Sequence, residues 1–322
     1  MSETERLAPD EAGIARAAAL LADGRLVAFP TETVYGLGAN ARSGQAVAAI
    51  YEAKGRPRFN PLIVHVGSAE AAAALIELPE AGRRLAAAFW PGPLTLVAKM
   101  RADAGVADLV TAGLPTLAVR VPAHPPALAL LRAFGGPVAG PSANPSGRIS
   151  PTTAEHVLEG LGGRIAAVLD GGPCPVGLES TIVGLGGDAP ALLRPGGLPA
   201  EAIEAALGRT LAAAQGGVSA PGQLASHYAP AARLRLDTEA PRPGELWLGF
   251  GHCPGAALNL SPTGDLREAA ANLFAHLRAL DARAGPGRTI AVAPVPRTGL
   301  GRAINDRLAR AAAPRPGQDR AD

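Results

Sequence analysis

Residues 25–40, RLVAFPTETVYGLGAN, open as a buried strand and then change character. RLVAFP has the apolar run of a strand inside an α/β sheet, whereas TETVYGLGAN carries threonines, a glutamate and two glycines. Upstream, Asp10 is placed to cap a helix with Ile14, Ala17 and Leu21 on one face, and Gly24 is placed to end it. Downstream, Ser43 caps a helix reaching Ala53, so the polar stretch reads as a strand-to-helix loop. Ligands of α/β sheets gather beyond the carboxyl ends of strands, which makes this loop the first place to look for a site.

The alternation continues outward. LIVHV (62–66) reads as a strand, followed by helical segments over 71–76 and 81–89, the breaker PGP, and the strands LTLVAK and LAVRVP. After the helix ALALLRAFG comes PVAGPSAN, a strand running into a polar loop, and Thr152 with Glu155 has the spacing of a capping box for EHVLEGLG. IAAVLDGG, STIVGL and ALLRP read as strands. Several strands follow one another without a helix, which predicts a mixed sheet in an α/β domain over 1–208. The periodicity breaks over 209–232, which reads as a linker. Beyond it, LRLDT, GELWLGF and TIAVAPV as strands, a helix over 265–282 and a closing helix GRAINDRLARAAA predict a smaller α/β domain over 233–322, ending in a frayed tail.

Bulk properties restrict the function. The 322 residues carry a net charge of only +2, so no global field recruits nucleic acid or a membrane surface. Cys174 and Cys253 lack metal-ligand spacing, and GxSxG, HExxH and GxxxxGK[ST] signatures are missing, which removes the marks of a zinc site, a serine hydrolase, a zincin and a P-loop. The acidic opening MSETERLAPDE and the lack of any apolar run near about 18 residues predict a cytoplasmic protein with no membrane span.

The chemistry concentrates in the strand-end tails. KGRPRFNPLIVH sets Lys54, Arg56 and Arg58 in one loop, either a solvated basic turn or a clamp for a triphosphate. Arg120 interrupts the apolar strand LAVRVP, where an unpaired charge would cost several kcal/mol, so it requires an anion, either an internal carboxylate or a ligand's. His65 ends its strand, as a core histidine or a ligand contact. PSANPSG offers hydroxyl and amide groups held between prolines. Cations beside neutral hydrogen-bonding groups suit anion binding and stabilisation of phosphoryl charge.

In their order, FPTETVYGLGANA, KGRPRFNPLIVHV, WPGPLTLV, VRVPAHP, PVAGPSANPSGRISPT, GLESTIV and LLRPGG resemble the YrdC-like family, in its two-domain form the threonylcarbamoyl-adenylate synthases. The likeness covers residues 10–232 closely. It implies a YrdC-like domain with a twisted mixed sheet and flanking helices, linked to a smaller Rossmann-like α/β domain. It implies a nucleotidyltransferase that makes threonylcarbamoyl-AMP and pyrophosphate from L-threonine, bicarbonate and ATP, with Mg2+ carried by the ATP phosphates. The product would pass to proteins that threonylcarbamoylate tRNA. The family's KxR and SxN signatures fall on Lys54, Arg56, Ser142 and Asn144. The resemblance assigns catalysis to Lys54 and Arg56 and the threonine pocket to Thr33, His65, Arg120, Gly140 and Ser180. It assigns ATP to Lys54, Arg56, Asn60, Thr116, Ser142, Asn144, Ser150, Arg194 and Tyr228. Gly36 and Gly38 are expected to let backbone approach the substrate, while Glu32 receives no role. The chain departs from the family linker, commonly SPGMKYRHYAP, in having Gln223, Leu224, Ala225 and Ser226 before His227 and Tyr228. This linker is expected to fold over the ATP site.

Two other classes share features. A non-catalytic protein binding double-stranded RNA or tRNA on a basic concave surface is opposed by the near-balanced charge and the 3% aromatic content, which leaves few stacking platforms. A hydrogenase-maturation carbamoyltransferase would carry zinc-binding cysteines, which this sequence lacks.

Overall fold

A computed structural model describes residues 3–57, 59–214, 227–285 and 287–314. The strands of the first domain are β1 (Glu5–Leu7), β2 (Val27–Phe29), β3 (Gly36–Asn40), β4 (Ile63–His65), β5 (Leu94–Lys99), β6 (Thr116–Arg120), β7 (Val138–Ala139), β8 (Ala167–Leu169), β9 (Thr181–Gly184), β10 (Ala191–Arg194) and β11 (Ala212–Ala213). They form one mixed sheet in the order β1-β8-β2-β3-β7-β4-β6-β5-β9-β10-β11. The helices between them are α1 (Glu11–Ala22), α2 (Gly44–Lys54), α3 (Ala69–Ala73), α4 (Glu80–Phe89), α5 (Asp108–Thr111), α6 (Pro125–Phe134), α7 (Ala154–Leu161) and α8 (Ala200–Leu207). The sheet is covered on both faces, and β2 shows why. Val27 and Phe29 point into a cluster with Leu20, Leu21, Leu130 and Leu131 of α1 and α6. Ala28, between them, faces Val47 and Ile50 of α2 and Val157 and Leu161 of α7. Each such leucine or isoleucine withdrawn from water contributes on the order of 1.5–3 kcal/mol.

Local capping agrees with the sequence at two helix starts and differs at a third. The Asp10 side chain accepts from Gly13 N and the Ser43 side chain from Ala46 N, as expected. For α7 the cap is Thr153, which accepts from His156 N, and not Thr152. The larger correction concerns the opening stretch. β2 and β3 are antiparallel, with Val27 opposite Gly38 and Phe29 opposite Gly36, so the expected strand-to-helix loop is a strand, a turn and a returning strand. The glycines serve this return. A Cβ on Gly36 would lie 3.1 Å from the Phe29 ring and one on Gly38 3.0 Å from the Val27 carbonyl oxygen. Gly38 is therefore a packing residue, whereas Gly36 also lines the cleft described below.

The second domain has β12 (Arg233–Arg235), β13 (Leu246–Gly249), β14 (Leu258–Asn259) and β15 (Thr289–Val292), with α9 (Leu266–Ala284) and α10 (Leu300–Ala312). Its strands are all parallel, in the order β12-β15-β13-β14. Its apolar core does not stop at the domain boundary. Val34, Ile149 and Leu178 of the first domain join Tyr228, Phe274, Leu273 and Ile304 in one buried cluster. Gly177 permits the closest approach: with φ +72, its Cβ would stand 2.5 Å from the Ala270 carbonyl oxygen and 2.5 Å from Ala271 Cα in α9. Among the described residues no helix is long and apolar enough to cross a membrane.

Candidate active site

Sheet register builds the site. β4 and β6 are parallel neighbours, with Ile63 beside Ala118 and His65 beside Arg120, so both polar residues reach the same face at the same sheet edge. β10 runs antiparallel to β9, and an irregularity after Leu192 brings Arg194 opposite Ile182, next to Ser180. Against this edge lie the turn before β3, the loop after β7 and residues 227 and 228. The cleft between them is lined by Thr33, Arg56, His65, Arg120, Gly140, Ser142, Ser180, Arg194 and Tyr228 among others.

At one end Arg120 finds its anion within the chain. Its Nη2 lies 2.7 Å from Glu32 Oε1, both side chains being almost wholly buried. Nη1 donates to Thr33 Oγ1 at 2.8 Å and Nε to the Gly92 carbonyl at 3.2 Å. The Glu32 contact lacks hydrogen-bond alignment, leaving Nη2 and both carboxylate oxygens without a hydrogen bond. An aligned acceptor is thus still missing from a desolvated guanidinium. Beside it, burial first and then the Arg120 charge push the His65 imidazole down to about 3, so it is neutral at physiological pH, and its Nδ1 is unpartnered. Gly140 allows this: a Cβ there would stand 2.9 Å from His65 Nδ1. Ser180 Oγ shares a hydrogen bond of 2.7 Å with Thr95 Oγ1.

The other end is cationic. Arg56 is buried and donates from Nη2 to the Pro61 carbonyl at 3.0 Å, and burial lowers it to about 10. Arg194 donates to the Ser180 carbonyl at 2.8 Å, and burial lowers it as well. Tyr228 closes this end. It stacks on Phe274 with ring centroids 5.5 Å apart, and the Arg307 guanidinium carbon sits 5.2 Å from its ring centre. It therefore packs the domain interface and lines the cleft at once. Its backbone is left-handed at φ +61, a conformation costing on the order of 1–2 kcal/mol that the packing must offset.

Five expected residues do not line the cleft. Lys54 is buried, with Nζ donating to the Ser142 carbonyl at 2.5 Å and to the Asn144 carbonyl, so its ammonium fastens the PSAN loop to the end of α2. Burial, then the neighbouring Arg56, lowers it well below the ordinary lysine value. Asn144 braces the same loop through bonds of 2.8 Å to the Pro145 and Arg148 carbonyls. Asn60 gives its carbonyl to Arg56. Ser150 donates at 2.5 Å to Glu179, which does line the cleft. Thr116 begins β6, at the opposite end of that strand from Arg120, and pairs with Lys99. Arg58 and the linker residues Gln223 to Ser226 lie outside the described residues.

Sequence reasoning left Glu32 without a role and missed Glu179 and Arg307. Each carried a signal. Glu32 shares its loop with Thr33, and Glu179 interrupts GLESTIV. Arg307 occupies the apolar face of α10 between Ile304 and Leu308. A charge on an apolar face needs a buried partner, and the partner of Arg307 is Glu179, at 2.9 Å. Burial raises the Glu179 carboxyl, but Arg307, Arg194 and Ser150 together hold it below its usual range.

Residues 19–196 match the Sua5_yciO_yrdC family model, described as Telomere recombination, and residues 198–313 match the model of the threonylcarbamoyl-AMP synthase C-terminal domain. The threonylcarbamoyl-AMP synthase of Pyrococcus abyssi is 44% identical over 319 residues, covering 92% of this chain and 92% of that protein. That of Bacillus subtilis is 48% identical over 244 residues, covering 74% of this chain and 70% of that protein. The crystal structure of P. abyssi Sua5 complexed with L-threonine superposes with a TM-score of 0.88 at 40% identity, covering 97% of this chain and 98% of that one. The chain belongs to the Sua5/YciO/YrdC family, in the form that carries a threonylcarbamoyl-AMP synthase C-terminal domain.

Proposed function

We infer that this chain is an L-threonylcarbamoyladenylate synthase, a nucleotidyltransferase serving tRNA modification. The observation that carries this reading is the division of one cleft into two halves. One half holds a buried guanidinium with an unaligned Nη2 beside a neutral imidazole; the other holds the buried cations Arg56 and Arg194. The first half suits an amino acid and the second a triphosphate, and the P. abyssi relative is known in complex with L-threonine.

In this reading Arg120 takes the threonine carboxylate, with Thr33, His65, Gly140 and Ser180 shaping the pocket around it. The amine of threonine takes up bicarbonate with loss of water to give a carbamate. A carbamate oxygen then attacks the α-phosphorus of ATP, forming the mixed anhydride as the bond to pyrophosphate breaks. The carbamate is the nucleophile, so the chain need supply no covalent catalyst. Arg56 and Arg194 stabilise phosphate charge as it shifts toward the leaving group, where fixed cations act without reorganising. Ser142 is presented to the same half, with Lys54, Asn144, Asn60 and Ser150 acting from behind the wall. Thr116, at the start of β6 and so at the opposite end of that strand from Arg120, is assigned to ATP by the resemblance. Mg2+ would enter carried by the ATP phosphates. Among the described residues no group of three His, Cys, Asp or Glu side chains could hold a metal ion. We assign the chemistry to residues 1–208, the cover to 209–232 and its anchor to 233–322. The product would be taken up in the cytoplasm by proteins that threonylcarbamoylate tRNA.

The test is incubation with ATP, Mg2+, bicarbonate and radiolabelled threonine, followed by chromatography for the adenylate. Threonine-dependent pyrophosphate release is expected. Release that ignores threonine would sink the reading.

A further inference from the structure

Arg307 is carried by the second domain, yet it is fully buried against the first. Its Nε donates to Glu179 Oε2 at 2.9 Å and its Nη1 to Asp306 Oδ2 at 2.6 Å, while Nη2 has no hydrogen bond. Asp306 also receives Arg310 at 3.0 Å, and its side chain keeps 20% exposure. Glu179 keeps only 8%, so its bond to Arg307 is the more fully desolvated of the two. The other Glu179 oxygen accepts from Ser150 Oγ, and Glu179 itself lines the cleft.

A carboxylate in the wall of a cleft that receives phosphates poses an electrostatic problem. At low dielectric it repels the incoming anion unless a cation neutralises it. Arg307 does so from behind, and its guanidinium also backs the Tyr228 ring. Arg120, in the threonine half, spends its hydrogen bonds on Thr33 and Gly92 and not on this chain of groups; the two halves meet at Ser180, which follows Glu179 and whose carbonyl accepts from Arg194.

We propose that Arg307 is a positioning residue for the nucleotide half of the cleft. It neutralises and fixes Glu179 from the second domain, so that the phosphate-binding wall is complete only when the two domains are docked. The inference rests on the nucleotide reading given above. It makes the second domain part of the site without any contact between Arg307 and the reacting atoms.

The test is calorimetric titration of ATP with Mg2+, and separately of threonine, into full-length wild type, Arg307→Met, Glu179→Gln and the double variant. Methionine keeps an unbranched apolar stem but takes the guanidinium from Glu179 Oε2, with Ser150 and the Arg194 charge remaining, so ATP affinity should fall by about tenfold or more while threonine affinity stays within about twofold. Adding Glu179→Gln removes the under-neutralised anion and should bring ATP affinity back to within about threefold of wild type. A pair that only held the fold together would not separate the two ligands in this way. Unchanged ATP affinity in Arg307→Met, equal loss of both ligands, or a double variant no better than Arg307→Met overturns the proposal. If Arg307→Met does not fold, Arg307→Gln replaces it: a donor remains but the charge is lost. ATP affinity should then fall with threonine affinity held, and unchanged ATP affinity overturns the proposal. Wild-type protein that binds no ATP would overturn the nucleotide reading itself, and this inference with it.

Discussion

At the scale of single residues, Arg120 carries two separable duties. It neutralises buried Glu32 and, in the proposed reading, binds the threonine carboxylate. Arg120→Ala should weaken threonine binding by about 2–5 kcal/mol with a smaller effect on ATP. Adding Glu32→Gln should recover stability, since no bare carboxylate remains, but should not recover threonine binding; calorimetry and denaturant titration read the two separately. Unchanged threonine affinity in folded Arg120→Ala refutes the pairing. The histidines give a pH prediction. His65 and His227 are both pushed down to about 3, chiefly by burial, from an ordinary 6.5. The unfolded chain therefore binds more protons below pH 6.5, so the stability each neutral ring contributes is present above that pH and is lost progressively as pH falls toward 3. The loss approaches about 1.4 kcal/mol per pH unit for each ring. Urea titrations at pH 7.5 and 5.0 should show wild type losing more stability than His65→Gln, and equal losses would mean that His65 is not held neutral.

At the scale of elements, the site depends on how strand ends and loops are fastened. Lys54 ends α2 and grips two carbonyls of the loop that presents Ser142, a task invisible in the motif KGR. Lys54→Met should leave both acceptors without their donor at a cost of about 1–3 kcal/mol. For a chain of this size that corresponds to about 2–4 °C in Tm per kcal/mol. Scanning calorimetry measures the shift, and the KM for ATP should rise with it as the loop loosens. An unchanged Tm would return Lys54 to a direct role at the phosphates. The β2–β3 hairpin teaches a related lesson. Its turn, PTETVY, was legible as a polar site, but GLGAN gave no strand signal because glycine has no side chain to show alternation. The pairing is enforced by Phe29, whose ring occupies the space that Gly36 and Gly38 leave open.

At the scale of the whole molecule, the second domain closes one end of the cleft through a shared apolar core and the Arg307–Glu179 pair. The interface has a narrow point at Gly177, where both the left-handed backbone and the 2.5 Å approach of α9 exclude a side chain. Gly177→Val should therefore separate the domains while leaving each core intact. We expect a larger radius of gyration by small-angle scattering, faster proteolysis near residues 209–232, and a loss of ATP affinity that exceeds the loss of threonine affinity. Normal ATP binding in a variant shown to be opened would make the second domain an accessory.

The α/β class, the two-domain order, the helix caps at Asp10 and Ser43 and most of the strands are legible in the residues alone. These follow from local periodicity and capping chemistry, which act within a few residues. The residue types of the site are legible as well, because cations and hydroxyls at apolar strand ends stand out against their surroundings. Which of them meet is set by long-range contacts. His65 and Arg120 are 55 positions apart and become neighbours through the β4–β6 register. Lys54 and Asn144 turn out to brace the loop behind the cleft wall, and Arg307 reaches the site from the far end of the chain. A side chain's partner is set by sheet register and domain docking, long-range contacts that leave no mark in the residues on either side of it.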